Sequence, residues 1–269
     1  MAAKRTVVVA GARGVFGSLL VEELREAYDV VPATREILDL SDLDAVAAFA
    51  LNAYAFVCAA GPFQTLDRAM VRTVVNAGAH WLDISDDARW FFDLVDDRAL
   101  DALARTRGVV VIPGLSSLPA ISCALAHRVM PAERMNITLF IGNDNNKGAA
   151  AIASCAALNT PDRELLRREL GVDAVVRPRF EMPGAQLAVA ALRVFPLRAR
   201  IRVAKILTRL IPRFGSRGGY VEVNGERIDG GQRMAILPVV FALQHLDGKS
   251  GCLAPTVFDP EELLAFVQQ

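Results

Sequence analysis

Three glycines near the start of the chain have the spacing of a site that binds a dinucleotide phosphate. Gly11, Gly14 and Gly17 form the pattern G-x-x-G-x-x-G between the β-branched run Thr6–Ala10 and a stretch with helical spacing of apolar residues. The first glycine allows a sharp turn, the second lets the backbone approach a pyrophosphate, and the third lets the helix pack closely on the strand. Free N–H groups at the helix N-terminus favour the anion, although a glycine-rich turn without a ligand would give the same pattern. The predicted contacts are Gly11, Ala12, Arg13, Gly14, Val15, Phe16 and Gly17.

The second predicted strand, Asp29–Ala33, ends where the ribose of a bound dinucleotide would lie. NAD-specific sites normally have an acidic residue there, which binds the 2′-hydroxyl. This chain has Thr34 and Arg35 instead, and Arg35 with Arg13 could hold a 2′-phosphate through charge-assisted hydrogen bonds. We therefore expect NADP as the cofactor; NAD is less favoured and stays open because Glu36 could bind a hydroxyl.

The next segment is short for this kind of fold. Ile37–Leu40 follows Glu36 at once and should lie at the adenine edge of the site. We therefore expect the helix after the second strand to be missing, and Asp39 is a candidate contact to adenine.

The third apolar run, Ala55–Ala60, ends in the loop residues that we expect beside the nicotinamide. Ligands of open α/β sheets lie outside the carboxyl ends of the strands. Two further short strands, Trp81–Ile84 and Val109–Ile112, should bring their loops to the same crevice. The predicted contacts at the end of the third run are Ala60, Gly61, Pro62 and Phe63.

Hydride transfer requires a group that positions the substrate and a donor that neutralises developing charge. The polar candidates in these loops are Gln64, His80, Asp83, Ser85, Asp86, Ser116 and Ser117. His80 could supply a proton near neutral pH, but it precedes its strand, which favours a structural histidine. Ser116 and Ser117 could instead cap the following helix. We choose Gln64 and Asp83 as the catalytic candidates, as positioning groups rather than as acid and base.

Composition limits the classes of protein to which such a site can belong. The chain has 269 residues, of which 53% are hydrophobic, so it can bury a sizeable core. Because 30 basic residues balance 30 acidic ones, we expect no long-range attraction to nucleic acid. The cysteines and histidines lack metal-ligand spacing, which predicts no metal site and a reduced, cytoplasmic protein. No uncharged apolar run is long enough to cross a membrane.

The order of the predicted elements indicates an α/β fold. Strands that alternate with amphipathic helices, including Asp67–Ala77 and Asp87–Arg107, predict a Rossmann-type doubly wound parallel sheet. The later strands predict a second, smaller α+β domain built on a mixed or antiparallel sheet. We expect a dinucleotide-binding domain over residues 1–130, a substrate and dimerisation domain over 131–250, and a C-terminal segment, 251–269, that returns to the first domain.

Several elements of the second half can be placed from the sequence. The predicted strands are Arg134–Gly142, Val175–Glu181 and the hairpin Gly219–Val223 with Glu226–Asp229, whose turn is Asn224-Gly225. The predicted helices are Gly148–Leu158, after a polar loop at Asn143–Lys147, then Gln232–Leu246 and Pro260–Val267. That polar loop could present amides to a substrate or cap the helix after it.

Three segments together resemble the saccharopine dehydrogenase-like NADP-binding oxidoreductase family. They are Val8–Gly17 (VVAGARGVFG), Ala59–Gln64 (AAGPFQ) and Asn76–Ser85 (NAGAHWLDIS). The resemblance implies a Rossmann domain followed by a mixed-sheet domain that closes over substrate, an NADP cofactor and a homodimer. The chain departs from the pattern at Asp86-Asp87, where relatives often have Gly-Glu, and at Leu115–Leu118, where they tend to have Phe-Asp.

The resemblance to this family does not account for a basic segment in the second half of the chain. No acidic residue occurs between Glu181 and Glu222. On a helix over Leu197–Ile211, one stripe carries only cations, and apolar residues lie opposite. These cations are Arg198, Arg202, Lys205 and Arg209. The stripe could be a solvated face whose acids come from other elements, a peripheral membrane contact or a site for an acidic substrate.

The sequence therefore predicts an NAD(P)-dependent oxidoreductase that transfers hydride between NADP(H) and an unidentified small or lipid-like substrate. The alternative is a non-catalytic NADP-binding sensor or a membrane-associated scaffold. We expect no nucleic-acid partner.

Overall fold

A computed structural model describes residues 3–142, 159–182, 184–210 and 215–269. The strands are β1 (Thr6–Ala10), β2 (Asp29–Ala33), β3 (Ala55–Cys58), β4 (His80–Asp83), β5 (Val110–Ile112), β6 (Arg134–Ile141), β7 (Asp173–Phe180), β8 (Gly219–Val223), β9 (Glu226–Asp229) and β10 (Gly251–Cys252). The helices are α1 (Val15–Leu24), α2 (Leu43–Ala50), α3 (Ala69–Asn76), α4 (Ala88–Val95), α5 (Arg98–Arg107), α6 (Ser122–Arg128), α7 (Asp162–Leu170), α8 (Ala185–Ala191), α9 (Leu197–Leu210), α10 (Leu237–Gln244) and α11 (Pro260–Val267). The predictions for Asn143–Lys147 and Gly148–Leu158 fall outside these residues.

The first sheet has the strand order β2-β1-β3-β4-β5-β10, and every neighbouring pair is parallel. Strands β1 and β3 are buried along most or all of their length, as expected when both faces of a parallel sheet are covered. Successive strands extend the sheet to opposite sides of β1, so a switch point lies between β1 and β3. In sheets of this order, ligands bind outside the carboxyl ends of the strands at the switch point.

The second sheet has the order β7-β6-β8-β9 and is mixed. Strand β6 pairs parallel with β7 and antiparallel with β8, which forms a hairpin with β9. The hairpin turn is the predicted Asn224-Gly225, and both residues have the positive φ angles, 50° and 93°, of a tight two-residue turn. The structure thus confirms the predicted fold class, a parallel Rossmann-type sheet with a second, mixed sheet.

The last segment of the chain rejoins the first sheet. Strand β10 pairs with β5, with Gly251 opposite Val110. Helix α10 is buried from Leu237 to Leu243, and α11 packs against α6 and α10. The larger hydrophobic cluster includes side chains from both sheets and from these helices. Among the described helices, none is long and apolar enough to cross a membrane.

Three helix predictions were wrong, one about the presence of a helix and two about helix boundaries. A helix, α2, does lie between β2 and β3, and it begins because Asp42 accepts a hydrogen bond from the Ala45 amide. The predicted helix Asp87–Arg107 is two helices, since Asp97 caps a second one through the amides of Ala99 and Leu100. The predicted helix Gln232–Leu246 contains a 3-10 segment, Gly231–Ala235, before α10.

Candidate nucleotide-binding and active site

The glycine turn between β1 and α1 is built for close backbone approach. Gly11 has φ +78°, and a Cβ on it would lie 2.8 Å from the backbone nitrogen of Ala60, which follows β3. A Cβ on Gly17 would overlap the carbonyl of Gly11, so only glycine lets α1 pack this tightly on the turn. The Gly11 amide donates to the Ala33 carbonyl at 2.9 Å, which ties the turn to the end of β2. The predicted turn residues therefore lie together at the β1/β3 switch point.

Helix α1 presents its N-terminus to this switch point without a competing anion. Gly14 is the N-cap, it has no side-chain cap, and no acidic residue occupies the first turn. Its φ of −69° suits any residue, so the need for glycine there is not conformational. The free N–H groups and the helix dipole are suited to an anionic group. Because Gly14 has no Cβ, an anionic group could approach the backbone at this N-terminus closely.

The end of β2 carries exposed charged groups beside the glycine turn. Arg13 Nη1 lies 2.6 Å from Glu36 Oε1, so the turn and the loop after β2 are joined by an ion pair. Hydrogen bonding from Thr34, with the charge of Arg13 as a smaller cause, lowers the pKa of Glu36. Arg35 is exposed. Arg13 of the glycine turn and Glu36 of the loop after β2 are thus each other's partners, and the choice between a 2′-phosphate and a hydroxyl stays as the sequence left it.

Asp39 lies in the same loop and already has local partners. Its Oδ1 accepts hydrogen bonds from the backbone amide and the hydroxyl of Ser41, at 3.0 and 2.8 Å. These bonds are the first causes of a lowered pKa for Asp39, and the charge of Arg35 is a further one. The side chain is exposed and shapes the turn before α2; nothing in its contacts favours adenine.

Gln64 and its neighbours lie where β3 ends. Phe63 is buried against Trp90, with ring centroids 5.6 Å apart, and fixes the turn Phe63–Thr65. Gln64 is exposed, and its Nε2 donates to Asp87 Oδ2 at 3.0 Å. The other oxygen of Asp87 caps α4 through the Trp90 amide. Gln64 is therefore held at the carboxyl end of β3 by the loop that follows β4.

Asp83, the last residue of β4, is fully buried and holds two loops and two indoles. One oxygen accepts from the amides of Ser85 and Gly114, each at 3.0 Å. The other accepts from the indole nitrogens of Trp81 and Trp90, each at 2.9 Å. Because each oxygen already accepts two hydrogen bonds, the geometry favours a positioning role for Asp83, which shapes the loops after β4 and β5.

A second group of polar side chains packs near the loop after β4. It includes Ser122 and Asp162, two residues that sequence reasoning missed. Asp162, at the start of α7, is fully buried, and its Oδ1 is hydrogen-bonded by the buried hydroxyl of Ser122. Its Oδ2 and the hydroxyl of Ser85 are buried with no described hydrogen-bond partner. The Ala88 amide donates to the Asn159 carbonyl at 2.7 Å, which brings the segment before α7 against the loop after β4. The sequence Thr160-Pro161-Asp162 indicates a helix start, but nothing in it indicates this contact.

Asp86 lies close enough to Asp162 for the charge of Asp162 to affect its pKa. Burial, with the charge of Asp87 as the second cause and that of Asp162 as a smaller one, raises the pKa of Asp86 to about 6. Burial also raises the pKa of Asp162. These carboxyl groups form no metal site, since among the described residues no three His, Cys, Asp or Glu side chains are arranged to hold an ion. The cluster instead suits a proton, a hydrogen-bond donor or a positively charged group.

Replacement of Asp86 by asparagine should stabilise the protein at pH 8 by about 1–2 kcal/mol and have little effect at pH 4. The folded state binds the Asp86 proton more tightly than the unfolded state does, so the carboxyl lowers stability as the pH rises from about 4 through 6. Asparagine removes this cost. Urea unfolding at both pH values tests the expectation, with Asp44→Asn, an exposed residue of α2, as the control. Equal changes at the two pH values would contradict it.

His80 lies at the amino ends of the strands of the first sheet, opposite the glycine turn. It begins β4, its Nδ1 accepts from the Val110 amide at 3.0 Å, and its ring meets Tyr54 edge-on at 4.9 Å. Burial lowers the pKa of His80 to about 4, so the ring is neutral near pH 7. It also lines a cavity of about 560 Å³ at the amino ends of the strands. These contacts favour the structural interpretation.

The two serines after β5 do not cap a helix through their side chains. Ser116 precedes a single π-helical turn, Ser117–Ile121, and its hydroxyl makes no capping hydrogen bond. Helix α6 then begins at Ser122, with Ile121 at its N-cap position. Ser116 and Ser117 are both buried in the loop that Asp83 holds.

The comparisons with known proteins agree on the fold. No protein-family model matches the chain, and no curated protein matches it in sequence. Apo saccharopine dehydrogenase (L-Glu forming) from Saccharomyces cerevisiae superposes with a TM-score of 0.62 at 11% identity, over 98% of this chain and 96% of that one. DAP dehydrogenase from C. glutamicum, in complex with DAP, gives 0.54 at 14% identity, over 97% and 96%. The chain therefore has, over nearly its whole length, the two-sheet fold of these dehydrogenases.

Proposed function

We propose that the protein is an NADP-dependent oxidoreductase that transfers hydride between NADP(H) and a small or lipid-like substrate. The glycine turn carries the proposal, because it leaves a helix N-terminus that no side chain caps at the switch point of the sheet. Both solved structures compared above are named as dehydrogenases, which supports the same general chemistry. The resemblance of the three sequence segments points in the same direction.

Different groups of residues would hold the pyrophosphate, the 2′-phosphate and the nicotinamide of the dinucleotide. The α1 N-terminus, with Gly11, Gly14 and Gly17, would hold the pyrophosphate, and Arg13 and Arg35 would hold the 2′-phosphate. The nicotinamide would lie near the loop Ala60–Phe63. Bound NADPH would supply the hydride. Among the chain's own groups, Gln64 would orient the substrate, and Asp83 would keep the loops around it in position, as their hydrogen bonds to these loops support.

Asp86 is the group that we propose for the proton. Its pKa of about 6 brings its titration close to neutral pH, so the protonated fraction of the carboxyl would give its proton to the substrate atom that gains negative charge. The neighbouring carboxyl groups of Asp87 and Asp162 would favour a substrate that also presents a hydrogen-bond donor or a positive charge. A non-catalytic sensor would not need this proton donor.

We expect NADPH to bind at least about tenfold more tightly than NADH, and Arg35→Ala to abolish the difference. The reason is that Arg35 pairs with a charge that only the 2′-phosphate supplies. Titration of the purified protein, followed by nicotinamide fluorescence, measures both affinities. Arg107→Ala removes an exposed arginine at the amino ends of the strands, and this variant should still prefer NADPH to NADH. If neither nucleotide binds to the wild type, the proposed function is wrong.

We also propose that two copies associate through the second sheet. Half-buried Phe140 and Tyr220 stack there with ring centroids 4.8 Å apart, so a partner could cover aromatic surface. Light scattering coupled to size-exclusion chromatography distinguishes the dimer from a monomer.

A further inference from the structure

Helices α8 and α9 form a small unit with its own apolar cluster, separate from the main core. The buried members of this cluster are Phe180, Ala185, Val189, Leu192 and Ala204. Helix α9 confirms the predicted helix over its described length, Leu197–Leu210; Ile211 and the side chains of Lys205 and Arg209 fall outside the described set. We call the exposed side chains that the structure describes within residues 187–206 the α8–α9 surface.

The α8–α9 surface exposes large apolar side chains close together in sequence. Leu187 is 78% exposed, Val194 80%, Phe195 44% and Ile206 56%. Single exposed apolar residues are common on proteins, but four within 20 residues are a group. These four side chains are not part of the local core, because α8, α9 and β7 bury other side chains against one another.

Cations share this surface. Arg198 and Arg202 are exposed and are four residues apart on α9, with Ile206 continuing the same side and buried Ala204 opposite. Neither arginine forms an ion pair with any side chain in the described part of the chain, so acids from other described elements do not neutralise them. Arg200 donates instead to the Phe195 carbonyl at 2.8 Å, which joins the start of α9 to the turn before it.

We propose that the α8–α9 surface docks on an anionic lipid bilayer. Exposed apolar side chains flanked by arginines match the two parts of such a surface, the acyl boundary and the negatively charged headgroups. A second copy of this chain fits less well, because a two-fold interface uses the same surface on both copies, and this surface has arginines but no acidic residue to pair with them. No acidic residue occurs between Glu181 and Glu222, and Arg209, Arg213 and Arg217 extend the positive charge along the sequence on the C-terminal side of the surface.

Co-sedimentation with vesicles, without added nucleotide, tests this docking independently of the proposed function. The protein should bind vesicles of phosphatidylcholine mixed with phosphatidylserine, bind phosphatidylcholine alone much less, and dissociate as salt is added. If the wild type ignores the mixed vesicles at low salt, the proposal is overturned.

Matched variants assign the binding to this surface. Arg198→Gln with Arg202→Gln should weaken binding about thirtyfold, and Val194→Ser with Ile206→Ser should weaken it also. Arg89→Gln with Arg163→Gln changes charge equally on α4 and α7, where the side chains are 83% and 72% exposed, and should have little effect. Equal losses from both arginine pairs, or a changed oligomeric state without any change in vesicle binding, would overturn the assignment. Thermal unfolding confirms that each variant is folded.

Discussion

Asp83→Asn is expected to destabilise the protein by about 3 kcal/mol or more, although the substitution is nearly isosteric. Asp83 is fully buried, and each of its oxygens accepts two hydrogen bonds, from the amides of Ser85 and Gly114 and from the two indoles. An asparagine can present its oxygen to only one of these pairs. Its NH2 group would then face two N–H donors, which leaves buried donors without an acceptor.

Urea unfolding followed by tryptophan fluorescence measures this loss directly. The chain has two tryptophans, Trp81 and Trp90, and both donate to Asp83. We therefore expect an altered emission spectrum in the folded state as well as a lower unfolding midpoint. Asp44→Asn, at an exposed position, should change stability by no more than about 0.5 kcal/mol. A stable Asp83→Asn protein with an unchanged spectrum would show that the carboxylate does not hold these loops.

The role of Asp83 also shows where sequence reasoning stops. The Asn76–Ser85 motif marks Asp83 as a candidate, but the sequence cannot distinguish a side chain aimed at substrate from one aimed at its own loops. That distinction depends on Trp81, two residues before it, and on Trp90 and Gly114, which only the folded sheet brings to it. Asp162 is a stronger case, since it lies far along the chain and reaches the loop after β4 only through tertiary packing.

The elements that were predicted well are those whose signal is local. The glycine turn, the hairpin at Asn224-Gly225 and the buried strands of the first sheet each follow from residue types within a few positions. The break between α4 and α5 was missed because apolar spacing continues through it, whereas Asp97 decides the boundary by capping. Strand β10 was missed because two residues, Gly251 and Cys252, carry no periodicity and become a strand only beside β5.

Gly17→Ala is expected to destabilise the protein by about 3 kcal/mol or more, or to prevent folding. A Cβ there would overlap the backbone of Gly11, and backbone on both sides cannot yield as a flexible side chain could. Gly14→Ala, three residues earlier, is the matched control for stability. Its φ is −69°, and its Cβ would lie 3.0 Å from the nearest heavy atom, the Gly11 carbonyl oxygen, so we expect a change within about 1 kcal/mol. Thermal unfolding of the two variants compares these effects.

Gly14→Ala should nevertheless bind NADPH at least about tenfold more weakly than the wild type. The added methyl group would occupy the space at the N-terminus of α1 through which a pyrophosphate approaches the free amides. Two alanines in one turn thus separate folding from nucleotide binding, because Gly17 is required by the packing of α1, whereas a Cβ on Gly14 would approach only the Gly11 carbonyl oxygen, at 3.0 Å. Nicotinamide fluorescence titration of Gly14→Ala provides the measurement. A stable Gly14→Ala protein that binds NADPH as tightly as the wild type would mean that the phosphates do not lie at this helix N-terminus.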